Sequence, residues 1–285
     1  MRGEGKGRRA VAGGQGADTS LFRRQRAHWD RIAAGMPDFF PASSTQYYRR
    51  SEMALIDRCF GPLAGRRVLK LDLWNEAVNT RILHWMIGRG AKAFGLDISR
   101  VIVTRAAAVL QGQGLEAGLV QADVRGIPFA DDTFDLVYTM GTIEHMEEYE
   151  TALAEVRRVL KPGGTAIVGV PHRWNLFLRP LLVMLLERFG FYPYSPEKSF
   201  GAGELRRVLE RSGLAVRSRT GILAIPGIVR MGDLFCYRRN IPLHRLTPLL
   251  LEPVEWLEGK WAWLQYLGYL LVLVAEKRSA PSRNR

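Results

Sequence analysis

Leu119–Pro171 reads LVQADVRGIPFADDTFDLVYTMGTIEHMEEYETALAEVRRVLKPGGTAIVGVP, and this stretch decides the fold. Leu119 to Gln121 alternate toward Asp123, and Phe134–Thr139 is rich in strand-favouring residues, so each predicts a short strand. Between Tyr149 and Leu160 the apolar Ala152, Leu153, Val156, Val159 and Leu160 recur at helical spacing and give one apolar face. Lys161-Pro-Gly-Gly164 stops that helix. Thr165–Val170 is a continuous apolar run, as a parallel strand buried on both faces requires. The order is strand, loop, strand, helix, turn, strand, which is the grammar of an α/β sheet.

The same residues carry a resemblance. Asp123 before Ile127-Pro128-Phe129, then Asp132-Thr-Phe-Asp135, Glu144-His145 and Leu160-Lys-Pro-Gly-Gly164, occur in this order over roughly 50 residues. Together they resemble the class I S-adenosylmethionine-dependent methyltransferases, most closely those acting on small molecules and lipid precursors. The resemblance is good over about residues 66–171 and loose to 278. It implies an α/β, Rossmann-like, doubly wound sheet of seven strands, the last antiparallel. It implies S-adenosylmethionine as cofactor, lying across the carboxyl ends of the first four strands.

Working outward, Arg67–Leu73 is the first strand, ending beside Asp72. A glycine-rich turn usually follows this strand in the family, because glycine reaches positive φ cheaply. This chain has Asp72-Leu-Trp-Asn-Glu-Ala-Val-Asn-Thr80 instead. The motif's acidic residue is aligned on Asp72, with Lys70 as the poorer alternative, and a modified turn is expected over Trp74–Asn79. Asn75 and Asn79 tolerate left-handed backbone there. Thr80–Arg89 is a predicted helix, Ala91–Ile98 the second strand, and Arg100–Gln113 the next helix. The resemblance gives Asp97, with Ile98, the ribose hydroxyls; Asp97-Ile-Ser99 also reads as a cap of the next helix. It gives Asp123 the adenine amino group and Val124 the ring, with Ile127–Phe129 packing beside the base; a turn-forming Asp123 remains open. Met140 and Gly141 should line the sulfonium side. His145 is the candidate general base, with His172 behind it, or else a structural histidine. Methyl transfer asks little of side chains beyond alignment, so the catalytic residue stays unassigned.

Upstream, Thr19–Ala34 is helical, and its His28–Ala33 is similar to the opening helix of many relatives. Gln46–Cys59 is a second helix, whose Tyr48 and Arg49 either touch the methionine end of the cofactor or pack on the surface. Downstream, Arg173–Tyr194 is apolar and aromatic almost all round and predicts a buried helix, a lid over an apolar substrate, or a membrane-facing lid. Gly203–Arg211 is amphipathic, Ala215–Ile225 the sixth strand, Pro226–Trp263 an irregular apolar insertion and Tyr266–Glu276 the last strand.

The domain plan is therefore a basic disordered tail at 1–18 and a single domain at 19–278. N-terminal helices occupy 19–65, insertions 172–200 and 226–263, and a flexible tail 279–285. Met1–Arg31 holds eight Lys or Arg against three Asp or Glu, within a net charge of +13 over 285 residues. Its composition cannot bury enough apolar surface to fold alone. Cys59 and Cys236, with no CxxC, argue against zinc or a disulfide framework and suit a reducing cytoplasm. No leader is expected, and Trp261–Ala275 is too short to span a bilayer. The expected function is methyl transfer to a small apolar acceptor, with peripheral contact at the inner face of the membrane. The alternative is a non-catalytic scaffold or membrane-associated accessory protein. Nucleic acid is disfavoured, because no base-flipping motif or RNA-binding module is present. No metal site is expected.

Overall fold

The computed structural model describes residues 19–190 and 197–279. The tail expected at 1–18 lies outside them, as do residues 280–285 of the tail expected at 279–285 and part of the apolar stretch, at 191–196. In chain order the elements are α1 (Thr19–Ala34), α2 (Ser43–Cys59), β1 (Arg67–Leu71), α3 (Trp74–Val78) and α4 (Ile82–Gly88). Next come β2 (Lys92–Asp97), α5 (Arg100–Gln111), β3 (Gly118–Gln121), β4 (Phe134–Met140), α6 (Tyr149–Val159) and β5 (Leu160–Pro171). The chain ends with α7 (Arg179–Arg188), α8 (Ala202–Arg211), β6 (Leu214–Ile222), α9 (Gly227–Arg238), α10 (Thr247–Lys260) and β7 (Leu270–Lys277).

The seven strands form one sheet in the order β3-β2-β1-β4-β5-β7-β6. Strands β1 to β5 pair parallel, and β7 inserts antiparallel between β5 and β6. The expected fold class is the observed one. Alternation builds a core on each face: in β7, Leu270, Val272 and Val274 enter one cluster while Leu271, Leu273 and Ala275 enter the other. A bulge between Phe134 and Leu136 shifts the register of β4 against β5. The apolar face of α6 (Ala152, Leu153, Val156, Val159) and that of α8 (Leu205, Val208, Leu209) are buried as their periodicity predicts. Each such buried Leu or Val side chain contributes about 1.5–3 kcal/mol.

Four expectations change. The turn expected over Trp74–Asn79 is the short helix α3, and the helix expected at 80–89 is α4, which starts only after Arg81 with φ 52°. The stretch 226–263 is not irregular: α9 and α10 flank a 3₁₀ segment at Pro242–Leu246, with Pro253 inside α10. The last strand starts at Leu270 because Ala262–Leu267 coils as 3₁₀. Helix α7 is not buried; Leu181, Met184, Leu185 and the following Phe189 are exposed.

Candidate active site at the carboxyl ends of the strands

The turn after β1 positions the site. Strand β1 ends at Leu71, and Asp72 takes φ 77°, a left-handed conformation that Asp tolerates better than most residues. Four contacts hold it there. Asp72 N–H donates to Leu96 O at 3.0 Å, and Lys70 Nζ donates to Asp72 O at 2.8 Å. Lys70 Nζ also lies 3.3 Å from Asp72 Oδ1, and Thr142 Oγ1 donates to Oδ2 at 3.1 Å. The left-handed residue is thus Asp72, not Asn75 or Asn79; Asn75 lies in α3 and Asn79 has φ −130°. Lys70 is fully buried. Burial disfavours its ammonium, but Asp72, Glu76 and Glu52 more than offset this and hold it above the ordinary lysine value.

Asp97 ties the next strand end to the same turn. Its Oδ2 accepts from Leu73 N–H at 2.9 Å and its Oδ1 from Ser99 N–H at 2.8 Å. Burial pushes its carboxyl up to about 7, against the two backbone N–H bonds. Ser99 caps α5, its Oγ accepting from Ile102 N–H at 3.2 Å. Both readings of Asp97-Ile-Ser99 therefore coexist locally: the carboxylate is at the strand end, and the serine caps the helix. At the end of β3, Asp123 is held by Arg125, whose Nε and Nη2 donate to its two oxygens at 2.9 and 2.6 Å. Arg125 also reaches Glu148 and Gln25.

These groups open on one cavity of about 530 Å³. All six residues expected to hold the cofactor, Asp72, Asp97, Ile98, Asp123, Val124 and Met140, line it, as do Gly141 and His145. Tyr48 lines it too, whereas Arg49 turns away and donates to Thr80 O and Arg81 O, clamping the α3–α4 junction. His172 is buried outside the lining and donates its backbone N–H to Tyr269 O, where the chain leaving β5 bridges to Phe200. Ile127 and Phe129 are also absent from the lining: Phe129 packs edge-on with Phe94 and Phe134 in the core.

Sequence reasoning missed the walls contributed by remote segments. Helix α1 supplies Gln25 and Trp29, and Trp29 meets Trp74 at 6.2 Å and His145 at 5.1 Å, both edge-on. The short HWDRI match in α1 was the available signal. From the other side α9 supplies Arg230, Met231, Leu234, Phe235 and Arg238, and the Arg230 guanidinium sits 5.1 Å over the Tyr48 ring. Among the described residues no side chain of α7 is in the lining; the first insertion contributes Glu197, and α9 of the second supplies most of the wall on this side. Below the cavity, Tyr138 Oη donates to Glu52 at 2.7 Å, and burial pushes the Glu52 carboxyl up to about 7. Carboxylates at three adjacent strand ends suit a polar, cationic ligand part, and the α1 and α9 side chains suit an apolar one.

Comparison with known proteins agrees with this geometry. A methyltransferase-domain family model matches residues 77–168. A demethylmenaquinone methyltransferase of Thermus thermophilus is 32% identical over 144 residues, covering 45% of this chain and 66% of that protein. A ubiquinone biosynthesis O-methyltransferase of Rhizobium johnstonii is 26% identical over 167 residues, covering 56% of this chain and 64% of that protein. The chain thus spans just under two thirds of the length of each of these relatives. A solved S-adenosylmethionine-dependent methyltransferase from Mesorhizobium loti aligns at a TM-score of 0.54 and 18% identity, over 79% of this chain and 97% of the other. Residues 77–168 thus form a methyltransferase domain, and the sheet around them has the strand order of the class I S-adenosylmethionine-dependent methyltransferases.

Proposed function

We propose that this protein transfers the methyl group of S-adenosylmethionine to a small, apolar, quinol-like acceptor. One observation carries the reading: a single cavity joins the carboxylates at the ends of β1, β2 and β3 to the apolar and basic wall of α9. The donor set fits the cofactor. Asp97 Oδ1 and Oδ2 each hold one backbone N–H, and a carboxylate oxygen accepts more than one bond, so lone pairs remain for ribose hydroxyls. Asp123, oriented by Arg125, would take the adenine amino group, with Val124 and Ile98 flanking the ring. Asp72 and Met140 would stand at the methionine and sulfonium end. The cofactor supplies a methyl group activated on a positive sulfonium.

The chain's own task is then alignment and exclusion of water. Trp29 and Trp74 close one side and Met231, Leu234 and Phe235 the other, a wall suited to a hydrophobic ring. For a hydroxyl acceptor the proton must leave with methylation, and His145 is the imidazole on the cavity wall. The names of the matched relatives, which concern demethylmenaquinone and ubiquinone biosynthesis, support an acceptor of this class.

Calorimetric titration with S-adenosylmethionine and S-adenosylhomocysteine tests the cofactor site. Micromolar binding that Asp97→Ala abolishes, in a variant still folded at the temperature of the titration, is the expected result. A folded parent that binds neither ligand refutes the reading and leaves the non-catalytic scaffold. Labelled methyl transfer to short-chain quinols then tests the acceptor; transfer to polar acceptors alone would overturn the quinol assignment.

A further inference from the structure

The exposed large apolar side chains of the described residues all fall between Trp174 and Tyr266, in the two insertions and just beyond the second, and not in the strands and helices of residues 21–173. They are densest at the corner joining α9 to α10. There Leu243 is 60% exposed, Leu249 68% and Leu250 62%, and Ile241 and Leu246 are exposed beside them. Arg238, Arg239 and Arg245 are exposed among these residues. From Leu234 to Leu251 the sequence holds no Asp or Glu. The face continues past Lys260, whose Nζ lies 3.9 Å over the exposed Trp256 ring, to the stacked, exposed Trp261 and Trp263. It is continuous with α7, since Leu176 N–H donates to Leu267 O and Leu182 lies beside Gly227.

We propose that this face docks on an anionic lipid bilayer, lying in the interface without crossing it. Leucines and indoles interleaved with arginine and lysine are the composition that enters the headgroup boundary, the apolar parts inward and the cations against lipid phosphates. Among the described residues no helix is long and apolar enough to cross a membrane. A second copy of this chain fits the face poorly, because an isologous contact sets the cationic corner against itself. The face also reaches the cavity: Phe235 and Arg238 are exposed and line it. Resting on the function proposed above, an apolar acceptor would enter from the bilayer along α9 without crossing water.

The full chain is sedimented with vesicles of phosphatidylcholine, with and without phosphatidylglycerol, over a range of salt. Binding to the phosphatidylglycerol vesicles that weakens with salt is the expected result. Each arginine near such a surface is worth about fivefold, so Arg239→Gln with Arg245→Gln should weaken binding roughly 25-fold. Leu243→Ser with Leu246→Ser should weaken it further. None of these four residues lines the cavity, so melting temperature and S-adenosylmethionine affinity should not change. No binding to phosphatidylglycerol vesicles overturns the proposal, and so does undiminished binding by the combined variant, as when Met1–Arg31 supplied the charge. A concentration-dependent dimer that binds no vesicle overturns it in favour of a second copy. Vesicle binding needs no methyl transfer, so its failure is separate from failure of the enzymatic reading.

Discussion

Asp72 takes a backbone conformation that glycine supplies cheaply elsewhere, and Lys70 is the counterpart that makes this tolerable. The ammonium binds both the carbonyl and the carboxylate of Asp72 and stands among Glu52 and Glu76, all out of water. Removing it leaves buried carboxylates uncompensated. Lys70→Met should cost about 3–5 kcal/mol, read by urea denaturation; an unchanged midpoint would show that the cation is dispensable. Asp97 gives a second outcome. With its carboxyl near 7 in the free protein, hydroxyl donors from a ligand stabilise the ionised form and lower that value. Binding then releases protons near pH 7, so S-adenosylmethionine affinity should rise as pH climbs through about 7 and level off above. Calorimetry in buffers of different ionisation heat reads this release directly, and heats that ignore the buffer would contradict it.

Among the elements, α1 is held against α5 by a few side chains. Asp30 Oδ1 accepts from Ser99 Oγ at 2.6 Å and from Val101 N–H at 3.2 Å, placing a carboxylate at the N-terminus of α5. Arg105 donates to Ala33 O and Met36 O at the other end of α1. Ser99 therefore caps one helix and anchors another. Ser99→Ala should cost about 1 kcal/mol and speed amide exchange in α1, which carries Trp29 and Gln25 to the cavity. Exchange confined to α5 would show that Asp30 holds α1 without the hydroxyl. The bounds of α1 were legible from the capping residues at its start and from Pro37 and Pro41 beyond its end. Its place over the cavity was not, because periodicity marks a face without saying what covers it.

Across the molecule, several carboxyls are buried rather than solvated. Burial pushes Glu52 and Asp97 up to about 7, and raises Glu258, which accepts from Tyr47 Oη at 2.6 Å. A carboxyl raised above its unfolded value of about 4 holds its proton longer in the native state. Between about pH 4 and 7 the native chain then binds more protons than the unfolded one, and stability falls as pH rises through that window. The free protein should melt higher near about pH 5.5 than near about pH 8, and S-adenosylmethionine should narrow the gap by favouring ionised Asp97. A melting temperature that climbs steadily to about pH 8 would count against buried neutral carboxyls.

Apart from the short α3, the strand and helix order from Arg67 to Pro171 was legible in the sequence, as were the acids Asp72, Asp97 and Asp123 at the strand ends. Those features are local: strand alternation, helix caps and glycine stops act within a few residues, and a doubly wound sheet aligns consecutive strand ends by construction. Only the tertiary structure decided that Lys70 supports Asp72, that Arg125 occupies Asp123, and that α9 rather than α7 walls the cavity. It alone also left α7 and the α9–α10 corner uncovered. The two ion pairs join residues two apart, but distant partners fix them, Thr142 on Asp72 and Glu148 and Gln25 on Arg125, and the other features depend on segments far apart in the chain. An apolar helix has the same pattern whether protein, ligand or lipid covers it, because burial is non-directional and leaves no trace in spacing.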